Sequence, residues 1–198
     1  MSQAALFPAL PAGFAAGFAY QPDFLSVDEE RSLLEHLRSL PLTNAQYKEF
    51  RAKRRVVSYG GRYDYDRNVL EPAAPIPEFL HPVRERIAAW AGRSARDFAH
   101  ALVAEYAMGV RLGWHRDVPE FDLVVGLSLL SACRMRFRRY PPGVREKSIA
   151  LELAPRSVYR LEGDARWRWQ HCVPPVPALR YSLTFRTRCA AARSPAAS

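Results

Sequence analysis

The chain has 198 residues, 48% of them hydrophobic and 25% charged. It reads as one globular domain, long enough to bury about 70% of its unfolded surface without staples. It lacks any run of 18 apolar residues, which excludes a transmembrane helix, so no membrane partner is expected. Three cysteines (Cys133, Cys172, Cys189) with no Cys-x-x-Cys pair exclude a disulfide framework and suggest reduced thiols in a cytoplasmic protein. The net charge of +9 favours an anionic partner, nucleic acid first. Only three of the 29 basic residues are lysines (Lys48, Lys53, Lys147), so an arginine-rich composition is a second source of that charge.

Residues 1–22 read as an irregular N-terminal arm. Its apolar stretch is broken by Pro8, Pro11, Gly13 and Gly17 and lacks a basic start, unlike a signal peptide. Ser26 with Glu29 forms a capping box, and Leu33, Leu34, Leu37 and Leu40 recur at helical spacing until Pro41. A second helix is predicted from Pro77 to Gly92, with Leu80, Val83, Ile87 and Trp90 on its apolar stripe. The remainder predicts strands at 54–59, 102–107, 110–117, 122–131, 133–139, 148–153, 156–161, 166–173 and 180–187. The tail 189–198 is small and polar. Many short strands behind two helices predict an α+β chain whose core is a β-sandwich or jelly roll.

Three segments carry possible chemistry. His115-Arg-Asp117 places an imidazole and a carboxylate two residues apart, on the same side of a strand end. That is two-thirds of the two-His, one-carboxylate set that leaves open positions on Fe(II), but a short pattern of this kind also arises by chance. His36, His81 and His100 read as surface or helix-face residues. His171 lies in Trp167-Arg-Trp169-Gln-His171, where period two puts both tryptophans and the histidine on one face; it is either a packed core histidine or a ligand in a dry pocket. Trp114 and Cys172 alternate away from these histidines, and Trp114 reads as core. The third segment, Arg180-Tyr-Ser-Leu-Thr-Phe-Arg186, alternates strictly. Its polar face either meets water or turns inward, where two guanidiniums require anionic partners such as a dicarboxylate.

Taken in order, Tyr106 with Gly109, His115-x-Asp117, Glu162-Gly163-Asp164 with Arg166, His171, and Arg180 to Arg186 resemble the AlkB family of Fe(II)- and 2-oxoglutarate-dependent dioxygenases. The resemblance covers about residues 20–188 and is strongest at 102–188. It implies a double-stranded β-helix (jelly-roll) core of two facing sheets, covered by two N-terminal helices, within a domain at 23–188. It implies His115, Asp117 and His171 as iron ligands. Arg180 would pair with the distal carboxylate of 2-oxoglutarate, with Tyr106 and Ser182 assisting, and Arg186 would lie near the carboxylate that chelates iron. The expected cofactor and cosubstrates are Fe(II), 2-oxoglutarate and O2. The chain departs from the family pattern at Ala104, where an asparagine is usual, and at Pro119, where some members carry an acidic residue that recognises the base.

The family's lid over the substrate corresponds to about residues 45–70, which here mix basic and aromatic residues around Arg54, Arg55, Tyr63 and Tyr65. Basic groups track phosphates and aromatic faces stack on an extruded base, so these four are the candidate substrate residues, with Tyr65 as the stacking residue. A solvated basic loop with packed tyrosines fits the same residues. A second basic run, Arg134-Met-Arg136-Phe-Arg138-Arg139, reads as a strand with a solvated face that can also extend a phosphate track. The resulting expectation is a monomeric enzyme that removes N-methyl lesions such as 1-methyladenine or 3-methylcytosine from nucleic acid, chiefly single-stranded, releasing formaldehyde, succinate and CO2. The alternatives are a hydroxylase or demethylase of tRNA or protein side chains, and a noncatalytic nucleic-acid-binding module.

Overall fold

In the computed structural model, residues 13–47, 50–144 and 146–189 are described; the first part of the arm and most of the tail lie outside them. The N-terminal half contains β1 (Phe18–Gln21), α1 (Val27–Arg38), β2 (Thr43–Tyr47), β3 (Phe50–Tyr59), β4 (Arg62–Asp64), β5 (Val69–Glu71) and α2 (His81–Ala91). The C-terminal half contains β6 (Phe98–Tyr106), β7 (Leu112–His115), β8 (Phe121–Leu129), β9 (Cys133–Arg139), β10 (Ile149–Leu153), β11 (Ser157–Leu161), α3 (Gly163–Trp167), β12 (Trp169–Val173) and β13 (Arg180–Arg188).

Local chemistry fixes the helix ends. Ser26 caps α1 through the Glu29 amide while the Glu29 carboxylate accepts from the Ser26 amide, and Leu33, Leu34 and Leu37 form its buried face. Gly92 ends α2 in the left-handed conformation, φ 66°, where a side chain would be strained.

The strands form a seven-stranded sheet, β1-β11-β8-β13-β6-β3-β2, and a four-stranded sheet, β10-β9-β12-β7. All their pairings are antiparallel. One core cluster packs α1, α2 and the turn that leads into α2 against the larger sheet, through Leu37, Ile87 and Leu80 on Val103, Val125, Leu127, Leu183 and Phe185. A second joins the sheets: Ala104, Tyr106, Val124 and Tyr159 of the larger meet Met135, Phe137, Leu153 and Val173 of the smaller. This is a double-stranded β-helix with two covering helices. The larger sheet is therefore buried on both faces, and its central strands read as continuous burial rather than alternation. Gly126 of β8 is required by a close approach: a Cβ there would fall 2.3 Å from the Tyr159 ring, which crosses the strand at this point.

Four expectations are corrected. Residues 18–21, placed in the arm, form edge strand β1 against β11. The strand expected at 166–173 divides into α3 and β12, because the Ala165 amide bonds to the Ala16 carbonyl and the Arg168 amide to the Asp164 carbonyl, closing a helical turn. Trp167 therefore does not share a strand face with Trp169 and His171. Trp114 is half-buried on the outer face of the smaller sheet rather than in the core. His100 is buried, at 3% exposure.

Candidate metal and 2-oxoglutarate site

The site is built between the two sheets. His115 ends β7 and His171 lies in β12, and the two are direct cross-strand partners. Their rings therefore stand 4.3 Å apart between centroids. Asp117 follows two residues beyond β7. The ligand atoms of His115, Asp117 and His171 all lie within 4.8 Å of one another. The His115 Nδ1–H donates to the Gly113 carbonyl at 2.9 Å, which leaves Nε2 as the free donor atom. Two imidazoles and one carboxylate on neighbouring strand ends suit Fe(II) with open positions.

Electrostatics keep the set in its ligating state. Burial lowers the His171 pKa to about 3, with His115 adding to the effect, and burial also lowers that of His115. Both rings are thus neutral. Burial alone would raise the Asp117 carboxyl, but the guanidiniums of Arg186, in contact, and of Arg166 outweigh it and hold the group well below the usual carboxylate range. Arg186 reaches across from β13 and donates to Asp117 Oδ1 from Nε at 2.9 Å and from Nη2 at 2.8 Å.

Arg180 lies at the other end of the same strand face. It is 2% exposed, donates from Nε to Ser128 Oγ at 3.1 Å, and holds its guanidinium 5.2 Å from the Tyr106 ring centroid. Its fixed contacts are thus a hydroxyl, the Cys133 thiol and an aromatic face, and no carboxylate pairs with it among the described residues. A fully buried guanidinium with that environment fits a dicarboxylate such as 2-oxoglutarate. Ser182, also buried, is the direct strand partner of Ala104, so a hydroxyl stands beside the position where the family carries asparagine.

Strand alternation separates the two adjacent lid arginines. Arg54 turns inward and donates to the Tyr106 hydroxyl at 3.4 Å; its charge also interacts with Tyr65 and Asp117. Its Nε is buried with no hydrogen-bond partner among the described residues. Arg55 turns to the opposite face and binds Glu105 through Nε at 2.7 Å and Nη2 at 2.8 Å. Glu105 also accepts the Tyr181 hydroxyl. The structure thus corrects the joint placement of Arg54 and Arg55 toward the substrate: Arg55 anchors the lid strand to β6. Tyr63 and Tyr65 pack edge to face at 4.9 Å. Tyr63 lies in the short β4–β5 hairpin and Tyr65 in its turn.

Two contributing residues were not assigned from the sequence. His100 accepts from Arg186 Nη1 at 3.3 Å and bonds the Gly61 backbone, which fixes the guanidinium that holds Asp117. Counting back in twos from Tyr106 would have placed His100 on the inner face. Arg166, 2% exposed, donates to the Val118 and Phe121 carbonyls, each at 2.7 Å, and so fixes the loop after Asp117. Nothing in its sequence neighbourhood signals that tertiary role.

A family model described as the 2OG-Fe(II) oxygenase superfamily matches residues 17–186. An Arabidopsis thaliana protein named alkylated DNA repair protein ALKBH8 homolog is 33% identical over 181 residues, covering 80% of this chain and 51% of that protein. A mouse protein named tRNA (carboxymethyluridine(34)-5-O)-methyltransferase ALKBH8 is 26% identical over 166 residues, covering 80% of this chain and 24% of that one. The chain thus spans about half of the first relative and a quarter of the second. The solved structure of OsALKBH1 superposes with a TM-score of 0.69 at 17% identity, covering 89% of this chain and 99% of that chain.

Proposed function

Because the chain belongs to the 2OG-Fe(II) oxygenase superfamily, and within it is AlkB-like, we propose that it oxidises an alkyl substituent on a nucleic-acid base, with tRNA as the first substrate class to test. Fe(II) with 2-oxoglutarate and O2 supplies a two-electron oxidation in which a C–H bond becomes C–OH and the keto acid leaves as succinate and CO2. His115, Asp117 and His171 would hold the metal, and Arg180 the far carboxylate of the cosubstrate. Arg186 keeps Asp117 ionised and oriented, and the apolar residues between the sheets exclude water from the reacting centre.

The observation that carries the substrate reading is Arg54. It brings a buried, unpartnered Nε from the lid strand into the site beside Tyr106 and Tyr65. A cation with aromatic neighbours at the mouth of a metal site suits an extruded base and its phosphate. The net charge of +9 fits the same partner. The mouse relative's name refers to tRNA, which favours that class.

A second reading follows from the Arabidopsis relative's name, which refers to repair of alkylated DNA. In it, an N-methyl group of 1-methyladenine or 3-methylcytosine is hydroxylated and the hemiaminal collapses to formaldehyde and the free base. Both readings take the protein to be a monomer in a reducing cytosol, which suits the buried, unbridged thiols of Cys133 and Cys172.

The test is incubation of Fe(II)-loaded protein with 2-oxoglutarate and air, on bulk tRNA and on an oligonucleotide carrying either N-methyl base. Nucleosides are read by mass spectrometry and succinate is counted. A gain of one oxygen in tRNA supports the first reading, and loss of a methyl group matched by formaldehyde supports the second. Succinate formation with every base unchanged overturns both. His115→Ala is expected to abolish turnover in either case.

A further inference from the structure

We propose that the outer face of the four-stranded sheet, around Trp114, Arg136 and Arg138, is a binding site for the phosphate backbone of nucleic acid. The proposal rests on the reading that the substrate is nucleic acid, and adds a surface on the far side of the sheet from the pocket.

Alternation along β9 sends Met135 and Phe137 into the core and Arg134, Arg136 and Arg138 outward. Trp114 of β7 also faces outward. The Arg138 guanidinium lies 4.2 Å from the Trp114 ring centroid and that of Arg136 lies 5.7 Å from it. With Ser148, Lys147 and Glu146 they line a groove of about 430 Å³.

The partners of these arginines are what point to an anion. Six other arginines, Arg31, Arg55, Arg62, Arg67, Arg86 and Arg156, each pair with a carboxylate, while Arg84, Arg116 and Arg188 donate to backbone carbonyls. Arg136 instead donates to the Ser148 hydroxyl at 3.1 and 2.6 Å. Arg138 faces the Gln170 amide, whose oxygen accepts from it at 2.7 and 3.0 Å when the amide is assigned in the orientation that satisfies both groups. Neither has a carboxylate partner among the described residues. Two acidic residues are nearby: Glu146 in the groove wall, and Glu152, which faces Arg134 across the strands. Neither forms an ion pair with these arginines.

Stacking on an indole orients a guanidinium through its face and leaves N–H groups at its edge for another acceptor. A row of such edges on a pleated sheet suits successive phosphates.

The surface is also connected to the site. β7 is the edge strand of its sheet, with Trp114 on its outer face and His115 on its inner one. Exposed Arg116, between His115 and Asp117, stacks on Tyr140 at 3.9 Å, just beyond the end of β9. A nucleic-acid strand leaving β9 thus passes over β12 and β7 and rounds the β7 edge to reach the side of the sheet that carries His115.

The test is fluorescence anisotropy of the full chain with a labelled single-stranded RNA and with bulk tRNA, in 50 to 200 mM KCl. The variants are Arg136→Gln with Arg138→Gln and, independently, Lys147→Glu on the groove's exposed loop. The double variant is expected to bind about tenfold more weakly at low salt, with the slope of log K against log salt reduced by about 1.4 for single-stranded RNA, the value for two lost phosphate contacts. Lys147→Glu should weaken binding in the same direction. Succinate formed without nucleic acid should match the wild type. Wild-type affinity and slope in both variants would overturn the proposal, as would absence of salt-dependent binding by the wild type. The functional reading fails separately, if no base is oxidised while the variants still weaken binding.

Discussion

Strands β9 and β13 have nearly the same sequence grammar and opposite fates. Arg134-Met-Arg136-Phe-Arg138 alternates polar and apolar residues with arginine at every polar position, and Arg180-Tyr-Ser-Leu-Thr-Phe-Arg186 alternates polar and apolar residues with arginine at both ends. In β9 the apolar residues face the inter-sheet core and the arginines face outward. In β13 the apolar residues face the helices, so the arginines are the ones turned between the sheets, at 2% and 9% exposure. Alternation assigns side chains to two faces. It does not say which faces are enclosed, because that depends on what packs on each side of the strand. β13 has the helices on its apolar side and the smaller sheet on its polar side, whereas β9 has the larger sheet on its apolar side and its arginines face outward.

The comparison is broken most severely at Arg186. Arg186→Ala leaves the Asp117 carboxylate without its principal partner in a buried site, and loss of about 3–5 kcal/mol of unfolding free energy is expected. Urea denaturation of the metal-free protein measures it; a loss under about 1 kcal/mol would mean that water reaches and solvates the pair.

At Arg180 the expected effect falls on the cosubstrate. Arg180→Ala should weaken 2-oxoglutarate binding by about 2–5 kcal/mol, read as the concentration needed for half-maximal succinate formation. An unchanged requirement would remove Arg180 from the cosubstrate site.

A pH scan sharpens the role of His100. Burial, then Arg186, lowers its pKa from 6.5 to about 3 in the folded chain. Between those values the unfolded chain binds the extra proton, so stability is complete above pH 6.5 and falls as the pH drops toward 3. His100→Gln should remove up to ~1.4 kcal/mol per pH unit of that fall, the slope that one proton gives. Denaturation midpoints compared at pH 7 and pH 5 report it, and parallel losses in variant and wild type would show that His100 is already solvated.

The smallest effect is expected on β9. Arg136→Gln with Arg138→Gln should change stability by no more than about 0.5 kcal/mol per site, as ordinary surface substitutions do, and leave the 2-oxoglutarate requirement unaltered. A larger stability loss would show that these arginines act as structural props rather than as a surface for a partner.

Much of the site was legible before any fold was known. Residue type and spacing offered His115, Asp117, His171, Arg180 and Arg186 as candidates with other readings open, and the resemblance to a known family, carried by their order, is what implied their roles. The α1 capping box and the Gly92 stop were equally readable, because caps act within a few residues. Relations across the chain were less accessible. The helical turn of α3 depends on a bond to Ala16, the division between Arg54 and Arg55 on the position of Glu105, and the burial of His100 on Arg186 beside it.

By itself, then, the sequence determined the local periods, the helix ends and the set of groups able to hold a metal and a dicarboxylate. Only the tertiary structure decided which strand faces are enclosed and which arginines are paired. Propensity, capping and alternation act between near neighbours, whereas enclosure and charge pairing depend on what packs from far along the chain.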